Sequence, residues 1–351
     1  MKFLYNFFFI VLIVSFSYSL KAQSLNETLS NLSSDAASAY VAPVVSGFGA
    51  DLNSGWMHRV VPANKFSIDI ELTIVGMGTF FNDASKTFSS SGLFRFNHDQ
   101  AMTMTTDISN QTARNAIVDQ IISQDFQVGI SGPTIVGGKD QNIVVSFPGK
   151  TFSYNSQSYT VPSQNIITPV TGYLENLPIL PLGAPQLSIG TFYGTALEFR
   201  FLPSIQINPD LGNFSYFGFG IQHNPAIWLD QPLPVDLSVG FYTQSLKVGT
   251  IFNSSATAFG LNVSKTFGYP MLSVTPYAGF MLESSNITIN YNQTVDTQAG
   301  PQEIAISFDL KGENSARFTI GTSFTLAIIN LNVDYSLAKY NTLSAGLGFK
   351  F

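Results

Sequence analysis

Residues 66 to 81 read FSIDIELTIVGMGTFF, a run that changes character at every step. Phe66, Ile68, Ile70, Leu72, Ile74, Gly76, Gly78 and Phe80 form one alternate set, while Ser67, Asp69, Glu71 and Thr73 open the other. Successive side chains of a strand point to opposite faces, so this period of two describes one apolar wall and one wet wall. The run is also longer than the roughly 5 to 6 residues of an ordinary strand.

The pattern recurs to the end of the chain. Leu197, Phe199 and Phe201 oppose Glu198 and Arg200; Phe217, Phe219 and Ile221 interleave with Gly218, Gly220 and Gln222; Leu237, Val239 and Phe241 interleave with Ser238 and Gly240. Phe259, Leu261 and Val263 continue the series, followed by Phe280 and Leu282, then Phe318 and Ile320, then Leu331, Val333 and Tyr335 against Asn332 and Asp334. The last stretch, LSAGLGFKF, puts Leu343, Ala345, Leu347, Phe349 and Phe351 on one side. A polar face of Gly, Ser, Thr, Asn and Gln suits a lumen, and a Phe-rich face suits lipid. A charge facing lipid costs roughly 2 to 4 kcal/mol near the midplane. Asp69, Glu71, Glu198 and Arg200 are therefore candidate lumen charges, either an ion-pair network bracing the wall or an acidic surface favouring cations.

Three segments break the alternation. Leu25, Leu29, Leu32, Ala36 and Tyr40 recur at helical spacing, which predicts a short amphipathic helix ended by Pro43. Gly47, Gly49 and Gly55 then supply flexible backbone, so residues 23 to 64 read as a plug or hatch, in the lumen or the periplasm, with Tyr40, Pro43 and these glycines as its candidate hinge. Ala113, Ile117 and Ile121 mark a helical insertion at about 106 to 140. Pro169, Pro178, Pro181 and Pro185 make 164 to 188 too proline-dense for an inner strand, so it reads as a second insertion, packed on the mouth or acting as an apolar gate. Turn-forming clusters fall at 82–83, 209–213, 268–270 and 311–314. The fold class is an all-β, antiparallel transmembrane barrel over residues 65 to 351 with a small N-terminal helical plug. At about 10 residues per strand the chain holds roughly 10 to 14 strands, with 12 to 14 favoured.

Composition agrees with lipid and removes other classes. Charged residues are 11% of the chain, against roughly 25% in a soluble domain, and mean hydropathy is +0.19. There are 31 Phe, 14 Tyr and no Cys, so disulfides and thiol chemistry are excluded. A net charge of −6 offers nucleic acid no basic patch. The leader MKFLYNFFFIVLIVSFSYSLKAQS carries Lys2, an apolar run and small residues before Ala22, the pattern of a signal peptide over residues 1 to 22. Sec-type export to the outer membrane of a Gram-negative bacterium is the expected destination.

Chemistry is sparse. His58, His98 and His223 are the only histidines. His98 precedes Asp99, with Ser89 to Ser91 nearby in sequence, but adjacency does not make a triad. No metal-ligand or phosphate-loop spacing occurs. No enzyme activity, catalytic residue, cofactor or metal is expected, and a barrel-embedded lipid hydrolase is the least favoured reading.

The stretch DAASAYVAP (35–43), its Gly-rich continuation and the long strand after it resemble the hatch and first strand of fatty-acid-transporter-type (FadL-like) outer-membrane barrels. SYFGFGIQHNPAIWLDQPLPVDLSVGF (215–241) is similar to such proteins, and also to an uncharacterised family of secreted barrel proteins. The closing strand with Phe349 and terminal Phe351 resembles the signal that such barrels present to their insertion machinery. The resemblance implies a monomer in outer-membrane lipid that takes up hydrophobic small molecules passively past its plug and releases them at a kink in a wall strand. No ligand-binding residue carries over from it. The alternative is a structural or adhesive barrel without transport.

Overall fold

The computed structural model describes residues 34–175, 177–208, 212–297 and 300–351. The expected signal peptide (residues 1 to 22), residues 23 to 33 of the expected plug segment and part of the expected turn, 209–211, lie outside the described residues. Helix α1 (Ser34–Asn53) comes first, and strand β1 (Phe66–Phe80) follows it. The wall continues with β8 (Ile179–Phe192), β9 (Thr195–Asn208), β10 (Gly212–His223), β11 (Asp236–Val248) and β12 (Phe252–Ser264). After the short β13 (Phe267–Tyr269) come β14 (Leu272–Thr297), β15 (Gly300–Lys311), β16 (Ala316–Leu326), β17 (Ile329–Leu337) and β18 (Thr342–Lys350).

Ten of these strands close into an antiparallel barrel. The ladder runs β1, β8, β9, β10, β11, β12, β14, β16, β17, β18 and returns to β1 through pairs such as Leu72 with Phe349 and Ile74 with Leu347. Phe351 completes the closure, its N–H donating to the Ile70 carbonyl at 2.8 Å. Closure satisfies backbone groups that an open edge would leave bare in lipid.

Side chains sort as the alternation requires. Along β12, Asn253, Ser255, Thr257, Phe259 and Leu261 face out, while Ser254, Ala256, Ala258 and Asn262 are buried. Leu261 is 62% exposed beside Asn262 at 2%. Phe217, Phe241, Phe280, Phe318, Ile320 and Leu331 stand outward on other strands. An apolar belt therefore surrounds the molecule.

Ten strands lie within the range of 10 to 14 and below the favoured 12 to 14, because one long insertion replaces two short ones. Between β1 and β8 the chain builds a separate cap. Its strands β2 (Thr87–Phe94), β3 (Phe126–Pro133), β4 (Val144–Phe147) and β7 (Gln164–Ile167) form their own sheet, and β5 (Lys150–Tyr154) pairs with β6 (Gln157–Val161). Helices α2 (His98–Met104) and α3 (Gln111–Ile122) complete it, with Ala113, Ile117 and Ile121 of α3 buried. An aromatic knot holds its centre, with Phe96 5.7 Å from both Phe126 and Phe147. These strands alternate like wall strands, yet their apolar sides meet helices and rings inside the cap.

The 164 to 188 segment is likewise divided. Its first residues form β7 of the cap, and from Ile179 onward it is wall strand β8, paired with β1 from Ile179–Phe80 to Ile70–Ile189. Pro181 and Pro185 are tolerated because that half of β8 has a ladder partner on one side only.

Helix α1 is longer than the sequence spacing predicts and runs through Pro43, Gly47 and Gly49. An internal proline costs a helix about 3 kcal/mol. Burial on all sides offsets it: Ala36, Ala37, Tyr40, Val41, Val44 and Val45 are each no more than 2% exposed. Gly49 is a contact residue, since a Cβ there would stand 2.0 Å from the Ser285 hydroxyl. Of the three candidate hinge glycines, Gly55 is the one with a left-handed φ, +64°, just past the helix end, where the chain turns away from α1. The hinge at Gly47 and Gly49 is thus replaced by continuous helix.

Helix α1 points from the cap into the lumen. Its first turn touches the cap, where Leu93 N–H donates to Asp35 Oδ2 at 3.0 Å. Its last turn reaches the middle of the lumen, and Val61 lies against the far rim, accepting from Asn224. The helix and the strand of chain after it thread the barrel from the cap end to the opposite end, here called the turn end.

Candidate functional site: the plug seat and the β8–β9 seam

The upper half of α1 belongs to the cap. Tyr40 donates its hydroxyl to the Thr171 carbonyl at 2.9 Å and accepts Tyr173 N–H at 3.0 Å, while Ile135 N–H donates to the Tyr40 carbonyl at 2.9 Å. Burial pushes the Tyr40 hydroxyl further above its ordinary range, so it remains a donor.

The lower end of α1 sits on two guanidinium groups from the wall. Arg200 of β9, fully buried, donates to the Ser54 carbonyl at 2.9 Å and to Gln186 Oε1 at 2.8 Å, and stacks 4.0 Å from the centre of the Trp56 ring. Arg317 of β16 donates to the Asn53 carbonyl and, at 2.8 Å, to Ser54 Oγ. Glu283 of β14 lies 3.4 Å from Arg317, an ionic contact without a hydrogen bond. Gln244 of β11 donates to Asn53 Oδ1 at 2.6 Å. A helix leaves its last carbonyls unsatisfied and carries about half a negative charge there. Two cations at that point complement both.

Toward the turn end the chain after α1 is tied down again. His58 Nε2 is 3.1 Å from Glu71, Arg59 pairs with Asp69, and Lys350 lies 3.3 Å from Asp69. Glu198 accepts from Gln222 at 2.6 Å. The structure brings Asp69, Glu71, Glu198 and Arg200 together on the lumen side. The voids beside this network measure about 40 and 20 Å³, room for a water or two. The lower lumen is filled, polar and cross-braced.

The wall is different at one place. β8 and β9 pair from Phe192–Thr195 to Gln186–Arg200, and no further pairing joins them among the described residues. Residues 179 to 185 of β8 remain bound to β1 alone, and β9 beyond Arg200 to β10 alone. β9 is also bulged, since Leu202 pairs with Tyr216 but Ile205 with Phe214, which sets Pro203 and Ser204 against Ser215. Pro181, Pro185 and Pro203 flank this seam. Its inner lining is apolar: Leu180, Leu182, Ala184 and Leu202 are buried, and a Cβ on Gly47 of α1 would be 2.9 Å from Leu180.

Other sequence candidates fall elsewhere. Phe349 faces lipid on β18, paired with Leu72 and Ile329. His98 and Asp99, 3.8 Å apart, form the exposed start of helix α2. Glu283, Asn53 and Ser54 escaped sequence reading, although Glu283 occupies the polar parity of its strand opposite Ala258.

A closed wall, an apolar belt and a plugged polar lumen define an outer-membrane-type β-barrel. The chain belongs to a family described as "Family of unknown function (DUF6588)", whose model matches residues 1–351. No curated protein matches it. It is similar to the N-terminal barrel domain of Pseudomonas aeruginosa OprF at 13% identity, covering 45% of this chain and 94% of that one, with a TM-score of 0.21. The loop-deleted OmpT of Vibrio cholerae is similar at 11% identity over 81% of this chain and 99% of that one, TM-score 0.23. The β domain of the Bordetella autotransporter BrkA follows at 9% identity over 80% and 98%, TM-score 0.21. Overlap so slight carries no weight here, and the class rests on the ladder and the belt.

Proposed function

We propose that this protein lets hydrophobic small molecules of fatty-acid character pass between the outer face and the membrane through the β8–β9 seam. The seam is the observation that carries the reading. A route straight down the axis would have to displace Arg200, Arg317 and their partners, whereas the route through the wall needs only apolar contacts to part. The bulge at Pro203–Ser204 is a wall-strand kink of the kind that the fatty-acid-transporter resemblance implies. In this reading the molecule is a monomer in the outer membrane of a Gram-negative bacterium, exported as a Sec substrate and folded by the barrel-insertion machinery. The cap faces outward, since barrels carry short turns on the periplasmic side and long loops outside. No catalytic step is assigned to it.

A second reading, a structural or adhesive barrel, is favoured by the filled lumen and by the burial of α1 in the cap. One experiment separates them. The natural chain has no Cys, so Pro185→Cys with Phe201→Cys, one step past the last β8–β9 pair, creates a single bridge across the seam. In proteoliposomes the reduced protein is expected to take up a fluorescent fatty acid, and oxidation to stop most of that uptake reversibly. A control bridge between Phe217→Cys and Ser245→Cys, residues already paired across β10 and β11, should change nothing. Uptake that ignores the seam bridge overturns the lateral route; no uptake above empty vesicles in any form selects the structural reading.

A further inference from the structure

A second feature lies on the outer surface at the turn end, away from the seam's open half. Phe66, Ile189, Phe192, Tyr193, Leu197 and Trp228 border an apolar groove of about 460 Å³, within the roughly 300 to 1,000 Å³ of ligand clefts. Phe66, Phe192 and Trp228 are each about two-thirds exposed.

The groove has a built wall. Tyr193 and Trp228 stack with ring centres 6.0 Å apart and planes at 18°. Trp228 donates its indole N–H to His223 Nε2 at 3.2 Å, and His223 Nδ1 lies 2.9 Å from Thr195 Oγ1. Indole nitrogen can only donate, so Nε2 must accept, and the ring proton of neutral His223 sits on Nδ1, aimed at Thr195. This relay joins the loop after β10 to the start of β9 and fixes the Trp228 ring over Tyr193. Lys65 directly precedes Phe66 of the groove: its backbone carbonyl accepts Tyr193 N–H at 2.9 Å, and the residue is exposed. Asp230, exposed on the loop that carries Trp228, is the acidic group nearest in sequence.

The groove is continuous with the lipid-facing belt through Ile189, Leu197 and Phe192, and that continuity names its occupant. We propose that it binds one acyl chain of a membrane phospholipid, in the leaflet at the turn end, with the lipid phosphate held at Lys65. Tyr and Trp stacked edge-on to a chain give rigid apolar contact at little entropy cost, and an ammonium at the headgroup level attracts a phosphate. A fixed lipid there would also clamp the β8–β9 turn against the loop after β10, at the closed half of the seam.

Phospholipids brominated along their chains quench tryptophan at contact, and the chain has 2 Trp, of which Trp56 is buried in the lumen. The difference between the natural protein and Trp228→Phe therefore isolates the groove. Purified protein is moved into vesicles of rising brominated fraction. A bound lipid is expected to give half-maximal Trp228 quenching well below a brominated fraction of one half when the brominated lipid carries the phosphate headgroup and the diluent is a neutral, phosphate-free, bilayer-forming digalactosyl lipid. Lys65→Gln should weaken that preference about fivefold, and Tyr193→Ala should return the curve to simple proportionality. Migration of each variant as folded barrel in unheated gels controls for assembly. Proportional quenching of the natural protein, or a curve unchanged by both substitutions, means ordinary annular lipid and overturns the site.

Discussion

Arg317→Met is expected to lower the stability of the folded barrel by about 3 to 5 kcal/mol. Arg317 and Glu283 are 5% and 7% exposed, so removing the guanidinium strands a buried carboxylate and frees the Asn53 carbonyl and Ser54 hydroxyl together. Taking Glu283 away as well should restore part of the loss, because replacing both partners of a buried ion pair by apolar groups is often close to neutral. Recovery will be incomplete, since the end of α1 still lacks one of its two cations, Arg200 alone remaining there. The temperature at which the folded band gives way to the unfolded band in SDS gels reads the effect. Equal loss in Arg317→Met and in the Arg317→Met, Glu283→Leu double variant would show that the pair is not coupled and that the plug is held elsewhere.

The second large effect comes from the belt. Phe259 is the eighth of the thirteen residues of β12 and faces out. Phe259→Arg places a cation near the midplane and should cost roughly 2 to 4 kcal/mol, whereas Asn253→Arg, near a strand end on the same face, should cost roughly 0 to 1. The contrast is the useful quantity. A surface in water would tolerate both equally, apart from the lost aromatic contact.

The wall was legible in the sequence because lipid and lumen impose opposite chemistry on alternate residues for the whole length of a strand. Phe259 and Leu261 against Ala258 and Asn262 need no tertiary information to be sorted. Helix α3 of the cap was legible from Ala113, Ile117 and Ile121, but the cap's sheet was not, for the same reason. Leu93 is exposed and Phe94 buried on β2, as they would be on a wall strand, and only the partners distinguish a cap sheet from a barrel. Pro181 and Pro185 argued against a strand because proline removes a ladder donor, and the structure places them where one neighbour is missing. Pro43 argued for a helix end, and tertiary burial overrode it. The seat draws on residues as far apart as Asn53, Arg200, Glu283 and Arg317, and such distances carry no local pattern. Arg200 and Glu198 were readable as lumen charges from parity, but that Arg200 would meet the end of α1 was not.

A membrane barrel requires alternate residues of one strand to meet hydrocarbon and the interior of the same cylinder. Spin labels on single cysteines from residue 253 to 262 of β12, in protein reconstituted into bilayers, test this directly. Relaxation by oxygen, which partitions into lipid, should be high at 255, 257, 259 and 261 and low at 254, 256, 258 and 262, while a water-soluble nickel complex reaches none of the outward sites near the middle. Strong relaxation by the nickel complex at 257 and 259 would place that face in water and contradict the membrane barrel.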